Sequence, residues 1–392
     1  MKRKVEIGTM LFFIVAAVLV TGIATYMYMA HMVERTTGKS NMFEKLSRVY
    51  QVVNNRYVGE VDEEAAMDAL LAGYINGVDK YGVYLNKTSY LEFKNSLEGK
   101  SSGIGATVKY VASTGYLRIT RVRYGSPCET AGIKAGDVIV SINDEDVSAM
   151  SYTDATNKLK ADIGTVIKLG ILRNTEKLNI TVTVSEYKEN TVIRQVIEDQ
   201  IGYIAISEFD NNTAEDFQKA IDDLKDRGIS KYIFDVRNNT GGSLIAVTEV
   251  LDMILPEGTV CIVKDKNGEE KVYSSGEERL EGKIVVLINE ETYSGGELFA
   301  ASIRDFKAGT LVGATTYGKG MAQEVIPLGD DSALYLSTNL YYPPSGENYE
   351  GKGVSPDIES KLTTEQAERF YELTRLEDTQ LQAAIEAIKS AA

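Results

Sequence analysis

Histidine is nearly missing from this chain. A single residue, His31, serves all 392 positions, and it lies at the end of an apolar run. A Ser-His-Asp site cannot be assembled from that supply. Nor can a zinc constellation, so no metal site is expected. Cysteine is almost as scarce. Cys128 and Cys261 make no disulfide framework. One bridge and two unpaired buried thiols both remain open. Basic residues are outnumbered, with 42 Lys and Arg against 57 Asp and Glu, for a net charge of −15. A nucleic-acid partner needs a basic surface, so that class is excluded. The charge reads as solubility. With 43% hydrophobic and 25% charged residues the chain is no disordered polymer. Its length suits about two or three domains.

One stretch lacks charge altogether. Ile7 to Ala30 is long enough to cross a bilayer, and Lys2, Arg3 and Lys4 precede it. No A-x-A cleavage pattern follows, and no cysteine lies close enough for lipid attachment. The reading is an uncleaved signal anchor at 7–30. Residues 1–6 would then be cytoplasmic, and everything after about Val33 would be outside the cytoplasm. A cleaved signal peptide is the alternative.

Apolar residues recur at helical spacing from Phe43 to Leu71, with a break at Val58-Gly59, in an N-terminal helical region at 41–99. Packing or dimerisation is its default role. From Ser101 the texture changes to glycine-opened and alternating strands, which suits a small partly open β-barrel. After Tyr187 strands alternate with helices. Ile201–Ser207, Tyr232–Val236, Lys283–Asn289 and Leu311-Val312 read as strands. Helices follow Thr213, Ser243 and Ser294, and Gln323–Leu328 with Ala333–Tyr342 reads as a hairpin. This is an α/β core at 188–361. The tail at 362–392 reads as helix.

Two loops carry candidate chemistry. Ser294 stands in Tyr293-Ser294-Gly295-Gly296-Glu297, where a buried strand gives way to a helix. The first N–H groups of a helix lack internal partners and can hold an oxyanion. Gly295 is the natural first donor, and the Gly241-Gly242 junction can supply a second. The plain alternative for Ser294 is a helix N-cap. Lys319 stands in Tyr317-Gly318-Lys319-Gly320, 25 residues further on. Lysine is the known substitute base for serine when histidine is absent. To act it must be buried, because an ordinary lysine stays protonated at neutral pH. Gly313-x-x-x-x-Gly318-Lys319-Gly320 approaches a P-loop. It lacks the final Ser or Thr and opens no helix, so no nucleotide is expected.

Two resemblances follow from longer patterns. Ser126-Pro127, Ala131-Gly132-Ile133 and Gly136-Asp137-x-Ile139 resemble the signature of a PDZ domain over 100–187. Such domains bind C-terminal peptides by strand addition, with the carboxylate on backbone N–H groups. That resemblance makes Gly103, Ile104 and Gly105 the carboxylate loop. Asp235–Gly242, the Ser294 loop, Thr316–Gln323, Pro343-x-x-Gly346 and Gly353-Val354-x-Pro356-Asp357 together resemble the carboxyl-terminal processing peptidases (tail-specific proteases). The resemblance implies a membrane-associated or exported enzyme with a PDZ domain joined to a crotonase/Clp-like α/β serine peptidase core. It implies Ser294 as nucleophile, Lys319 as general base and Gln323 as the residue that orients the lysine. Gly295 with Gly241 or Gly242 match the oxyanion donors. Glu297, Asp305 and Thr316 fall at supporting positions, with helix-surface carboxylates as the plain reading of Glu297 and Asp305. The family's Asp-Pro-Tyr-Ser stands here as Asp79-Lys80-Tyr81-Gly82, and its Ser-Ala-Ser-Glu as Ser294–Glu297. Implied partners are protein substrates with accessible C-termini and the membrane, and the terminal helices suit a homodimer. No cofactor is implied. The rival function is a peptide-binding scaffold with an inactive core.

Overall fold

The computed structural model describes residues 20–27, 42–198, 200–277 and 279–390. The chain divides into two compact units, Met1–Leu70 and Leu71–Ala392. The first unit holds helices at 20–27 and 42–56 and the start of the helix Glu63–Val78. The interruption at 57–62 falls where Val58-Gly59 predicts one. The expected anchor at 7–30 lies outside the described residues except for 20–27. Among the described residues no helix is long and apolar enough to cross a membrane.

The second unit contains three apolar clusters, one inside a smaller segment and two on the faces of a larger sheet. The smaller segment is wrapped by the antiparallel strands Ala106–Val111, Tyr116–Val122, Val138–Ile142, Val166–Arg173 and Glu176–Thr183. Ile104, Leu117, Ile119, Ile139, Leu169 and Val182 fill it. A short helix, Tyr152–Leu159, starts at an N-cap serine whose side chain accepts from the Asp154 N–H. A two-stranded ladder of Lys100–Gly103 with Ser185–Lys188 closes the base of this segment.

The larger segment is built on a six-stranded sheet. Its strands are β1 (Val192–Ile197), β2 (Ile201–Ile206), β3 (Lys231–Asp235), β4 (Lys283–Ile288), β5 (Thr310–Gly313) and β6 (Ile358–Glu359), side by side in that order. β1 runs antiparallel to β2, and the rest are parallel. Helices α1 (Thr213–Asp226), α2 (Leu244–Asp252) and α3 (Gly295–Asp305) share one apolar cluster with this sheet, and α4 (Thr379–Ser390) belongs to the other. The period of two in a strand sorts the side chains. In β4, Ile284, Val286 and Ile288 join the first cluster, while Val285 and Leu287 join the second. Both faces of β4 are buried, which is why it reads as a continuous apolar run.

A second sheet is made by Val83–Leu85, Gly258–Asp265, Glu270–Ser275, Met321–Pro327 and Ala333–Tyr342. The last two form the hairpin expected around Gly329. The tail differs from a single helix. Thr364–Glu368 and a 3₁₀ turn at Phe370–Glu372 precede α4. The break at 373–378 leaves Asp378 to hydrogen-bond the Leu381 N–H and to meet Arg237.

Candidate active site

Parallel strands place their C-terminal ends on one edge, and ligand sites in such sheets form there. Asp235 of β3 is level with Leu287 of β4, and Ile288 is level with Gly313 of β5. The three loops that leave those ends are Val236–Ser243, Asn289–Ser294 and Ala314–Gly320. They are knitted together by direct hydrogen bonds. Thr292 Oγ1 donates to the Val236 carbonyl at 2.7 Å. Asn289 Nδ2 donates to Asn238 Oδ1 at 2.8 Å. The Tyr293 N–H reaches the Asn239 carbonyl, and the Tyr317 N–H reaches the Thr292 carbonyl, each at 3.0 Å.

Ser294 has φ +56° and ψ −117°. An N-cap residue normally has extended backbone, so this is no ordinary cap. A positive φ at a residue with a Cβ is strained and must be held by its surroundings. Glu297 does the holding. It is fully buried, contrary to the helix-surface reading. Its Oε2 accepts the N–H of Ser294 at 2.9 Å and the N–H of Lys319 at 2.8 Å. Its Oε1 accepts the Gly318 N–H at 2.7 Å and the Thr316 hydroxyl. One carboxylate oxygen therefore spans the two loops, and the backbones of Ser294 and Lys319 lie two hydrogen bonds apart. Burial pushes the Glu297 carboxyl upward, and its Thr316, Lys319, Gly318 and Ser294 donors pull it back.

Lys319 is itself 8% exposed, equal to Ser294. Burial pulls its ammonium below the ordinary lysine value, against the opposing pull of Asp79, Glu350 and Glu297. Its Nζ donates to Gln323 Oε1. The i,i+4 spacing is not helical here. Gln323 lies in the strand Met321–Pro327, whose register slips between Ala322 and Gln323. Such a bulge re-aims a side chain, and it brings Gln323 back to Lys319.

The glycine loop meets the serine from the other side. A Cβ on Gly241 would lie 2.8 Å from Gly295 N and 3.2 Å from Ser294 Oγ. The Gly241 N–H is taken by Asn239 Oδ1 at 2.8 Å. Gly241 O and the Ser243 N–H both bond Phe209, so the Gly242 N–H faces away from Phe209. Gly242, rather than Gly241, lines the 600 Å³ cleft that also holds Ser294 and Gln323. Asp305 is not brought into the site. It pairs with Arg304 and accepts the Ser345 N–H, fixing the Pro343–Gly346 turn.

Sequence reasoning missed several neighbours. Tyr81 and Glu350 hydrogen-bond around the lysine loop, and Tyr293 and Tyr335 place their rings beside Nζ. The one available signal was the match of Asp79–Gly82 to a family motif.

The profile of peptidase family S41 matches residues 200–360, and the PDZ profile matches residues 94–172. The chain is 30% identical to the carboxy-terminal processing protease CtpB of Bacillus subtilis over 82% of its own length and 68% of that protein. The chain belongs to peptidase family S41. It is a serine protease of the carboxy-terminal processing kind with a PDZ domain. CtpA of Bacillus subtilis is also 30% identical, over 83% of this chain and 70% of that one. The carboxy-terminal-processing protease of Bartonella bacilliformis is 27% identical, over 86% and 80%. The S41 fold recurs in the photosystem II D1 C-terminal processing protease. The TM-score is 0.52 at 24% identity, covering 81% of this chain and 86% of that one.

Proposed function

We propose that this S41 member is a membrane-anchored endopeptidase that cuts by a Ser294–Lys319 mechanism. The observation that carries the reading is the Glu297 carboxylate shared by the two loops. Neutral Lys319 gives one N–H to Gln323 and turns its lone pair to the Ser294 hydroxyl. The serine oxygen attacks the scissile carbonyl, and Lys319 keeps the proton until the leaving amine takes it. The N–H groups of Gly295 and Gly242 hold the oxyanion. Water then hydrolyses the acyl-enzyme with the same amine as base.

The PDZ domain captures the C-terminus of the substrate. The carbonyls of Ile104 and Gly105 already accept from Cys128 and Arg123, so the loop has its N–H edge to offer a carboxylate. The uncharged run Ile7–Ala30 behind Lys2-Arg3-Lys4 supports an anchor with the protease outside the cytoplasm.

The test is turnover of an unfolded protein by wild type, Ser294→Ala and Lys319→Arg. Both variants should be inactive, because arginine keeps the charge but cannot give up its proton. Equal turnover by all three removes the mechanism.

A further inference from the structure

Three aromatic rings surround Lys319 Nζ. Their centroids lie at 5.0 Å for Tyr81, 5.7 Å for Tyr293 and 6.0 Å for Tyr335. Tyr293 and Tyr335 belong to the segment that the S41 profile matches, and Tyr81 does not. It comes from the turn Asp79–Gly82, before the PDZ segment.

Tyr81 also touches the base through Gln323. Gln323 Nε2 donates to the Tyr81 carbonyl at 2.7 Å and faces the Tyr335 carbonyl at 3.4 Å. A carbonyl oxygen only accepts. Both contacts therefore fix the nitrogen end of the amide, and Oε1 is the end left for Lys319. Reversing the amide would oppose acceptor to acceptor at Tyr81.

The turn is locked in place. Asp79 Oδ1 accepts the Tyr81 N–H at 2.9 Å, and Oδ2 accepts the Ser337 N–H at 2.8 Å. Ser337 lies between the stretch paired with Val83–Leu85 and the stretch paired with Gly258–Asp265, so Asp79 fills a gap in that edge of the ladder. The Tyr81 hydroxyl donates to Glu350 Oε1 at 3.1 Å, and Glu350 Oε2 accepts the Gly320 N–H at 2.8 Å. Lys80 also pairs with Glu350 at 2.8 Å.

We propose that Tyr81 is a positioning residue for the general base: its carbonyl sets the Gln323 amide, and its ring walls Lys319 Nζ from water. The proposal rests on the Ser-Lys reading above. The charged groups facing Nζ are Asp79, Glu297 and Glu350, and the titratable phenols are Tyr81, Tyr293 and Tyr335. The carboxylates favour the ammonium, and burial opposes them. Removing the Tyr81 ring admits water and makes Lys319 easier to protonate.

The experiment is the pH profile of kcat/KM on an unfolded protein substrate, from about pH 6 to about pH 10, around the range a tuned lysine base occupies. The full chain is compared as wild type, Tyr81→Leu, Tyr81→Phe and Lys319→Arg, with thermal melts alongside. Tyr81→Leu should move the acid limb up by about one pH unit, which is about a tenfold loss near neutrality that recovers at high pH. The loss should fall on kcat. Every variant keeps the backbone carbonyl at position 81, and Tyr81→Phe, which also keeps the ring, should keep the wild-type limb. Tyr81 is only half-buried, so Tyr81→Ser gives the same reading if the leucine variant melts early. An unshifted limb, or a loss equal at every pH, with Lys319→Arg inactive, overturns the role of the Tyr81 ring and leaves the Ser-Lys reading standing. Wild-type turnover by Lys319→Arg removes both.

Discussion

A buried lysine and a buried glutamate sit within one hydrogen bond of each other's loop, and each is costly alone. Glu297 offsets its burial with acceptor bonds to Ser294, Thr316, Gly318 and Lys319. A glutamine there would set an NH₂ group against two of those donors. Glu297→Gln should lower kcat about a hundredfold or more, because misplacing a reacting group by about 1 Å costs that much. Steady-state kinetics on a refolded, melt-checked sample measures it. Lys319 makes the opposite prediction for stability. Its folded value is lowered, so between that value and about 10.4 the unfolded chain binds the proton better and stability rises with pH. Lys319→Met should be inactive yet melt higher than wild type at neutral pH, with the gap closing toward about pH 10. Thermal melts across that window check the sign. The place of Ser294 between a buried strand and a helix was legible, because the apolar run before Asn289 gives way to small residues at 294–296. The burial of Glu297 was not, because one helix turn in sequence does not reveal which face meets another loop.

Turns and bulges aim these side chains. The Ala322/Gln323 register slip and the Gly241-Gly242 turn are features of elements, and pattern alone does not place them. Gly242 has φ +125°, and a Cβ there would lie 2.2 Å from the Phe209 carbonyl. Gly242→Ala should therefore shift the turn and lower kcat about 10²- to 10³-fold, the size of one lost oxyanion donor, with KM little changed. Kinetics that show a KM effect alone would remove Gly242 from that role. The parallel strands were readable because burial on both faces gives β3 the apolar stretch Tyr232–Phe234 and β4 the run Ile284–Ile288. The Asp79–Gly82 turn was visible only as a motif, because its partners at Gln323 and Ser337 are more than 200 positions away.

Across the whole molecule the tail is bound to the sheet by charge. The Arg237 side chain is 2% exposed and pairs with Asp235 at 2.6 Å and Asp378 at 2.8 Å, with Phe370 against its guanidinium face. Arg237→Met leaves two buried carboxylates without their cation. The expected loss is about 3–5 kcal/mol in denaturant unfolding. The helical period of the tail predicted α4, and the side chains Leu381, Ala384, Ile385 and Ile388 do cover β2 to β5. The break before α4 was hidden because Arg237 and Asp378 meet only in the fold. The PDZ segment was legible at long range for a simpler reason, since its Ser-Pro turn and Gly-Asp turn are local.

The most direct test of an uncharged Lys319 acting on Ser294 is covalent labelling of Ser294 by a fluorophosphonate as a function of pH. Wild type should label at a rate that rises with pH and levels off below the ordinary lysine value of about 10.4, while Lys319→Arg stays unlabelled. Labelling of Lys319→Arg at the wild-type rate, with the same pH dependence, would contradict the account.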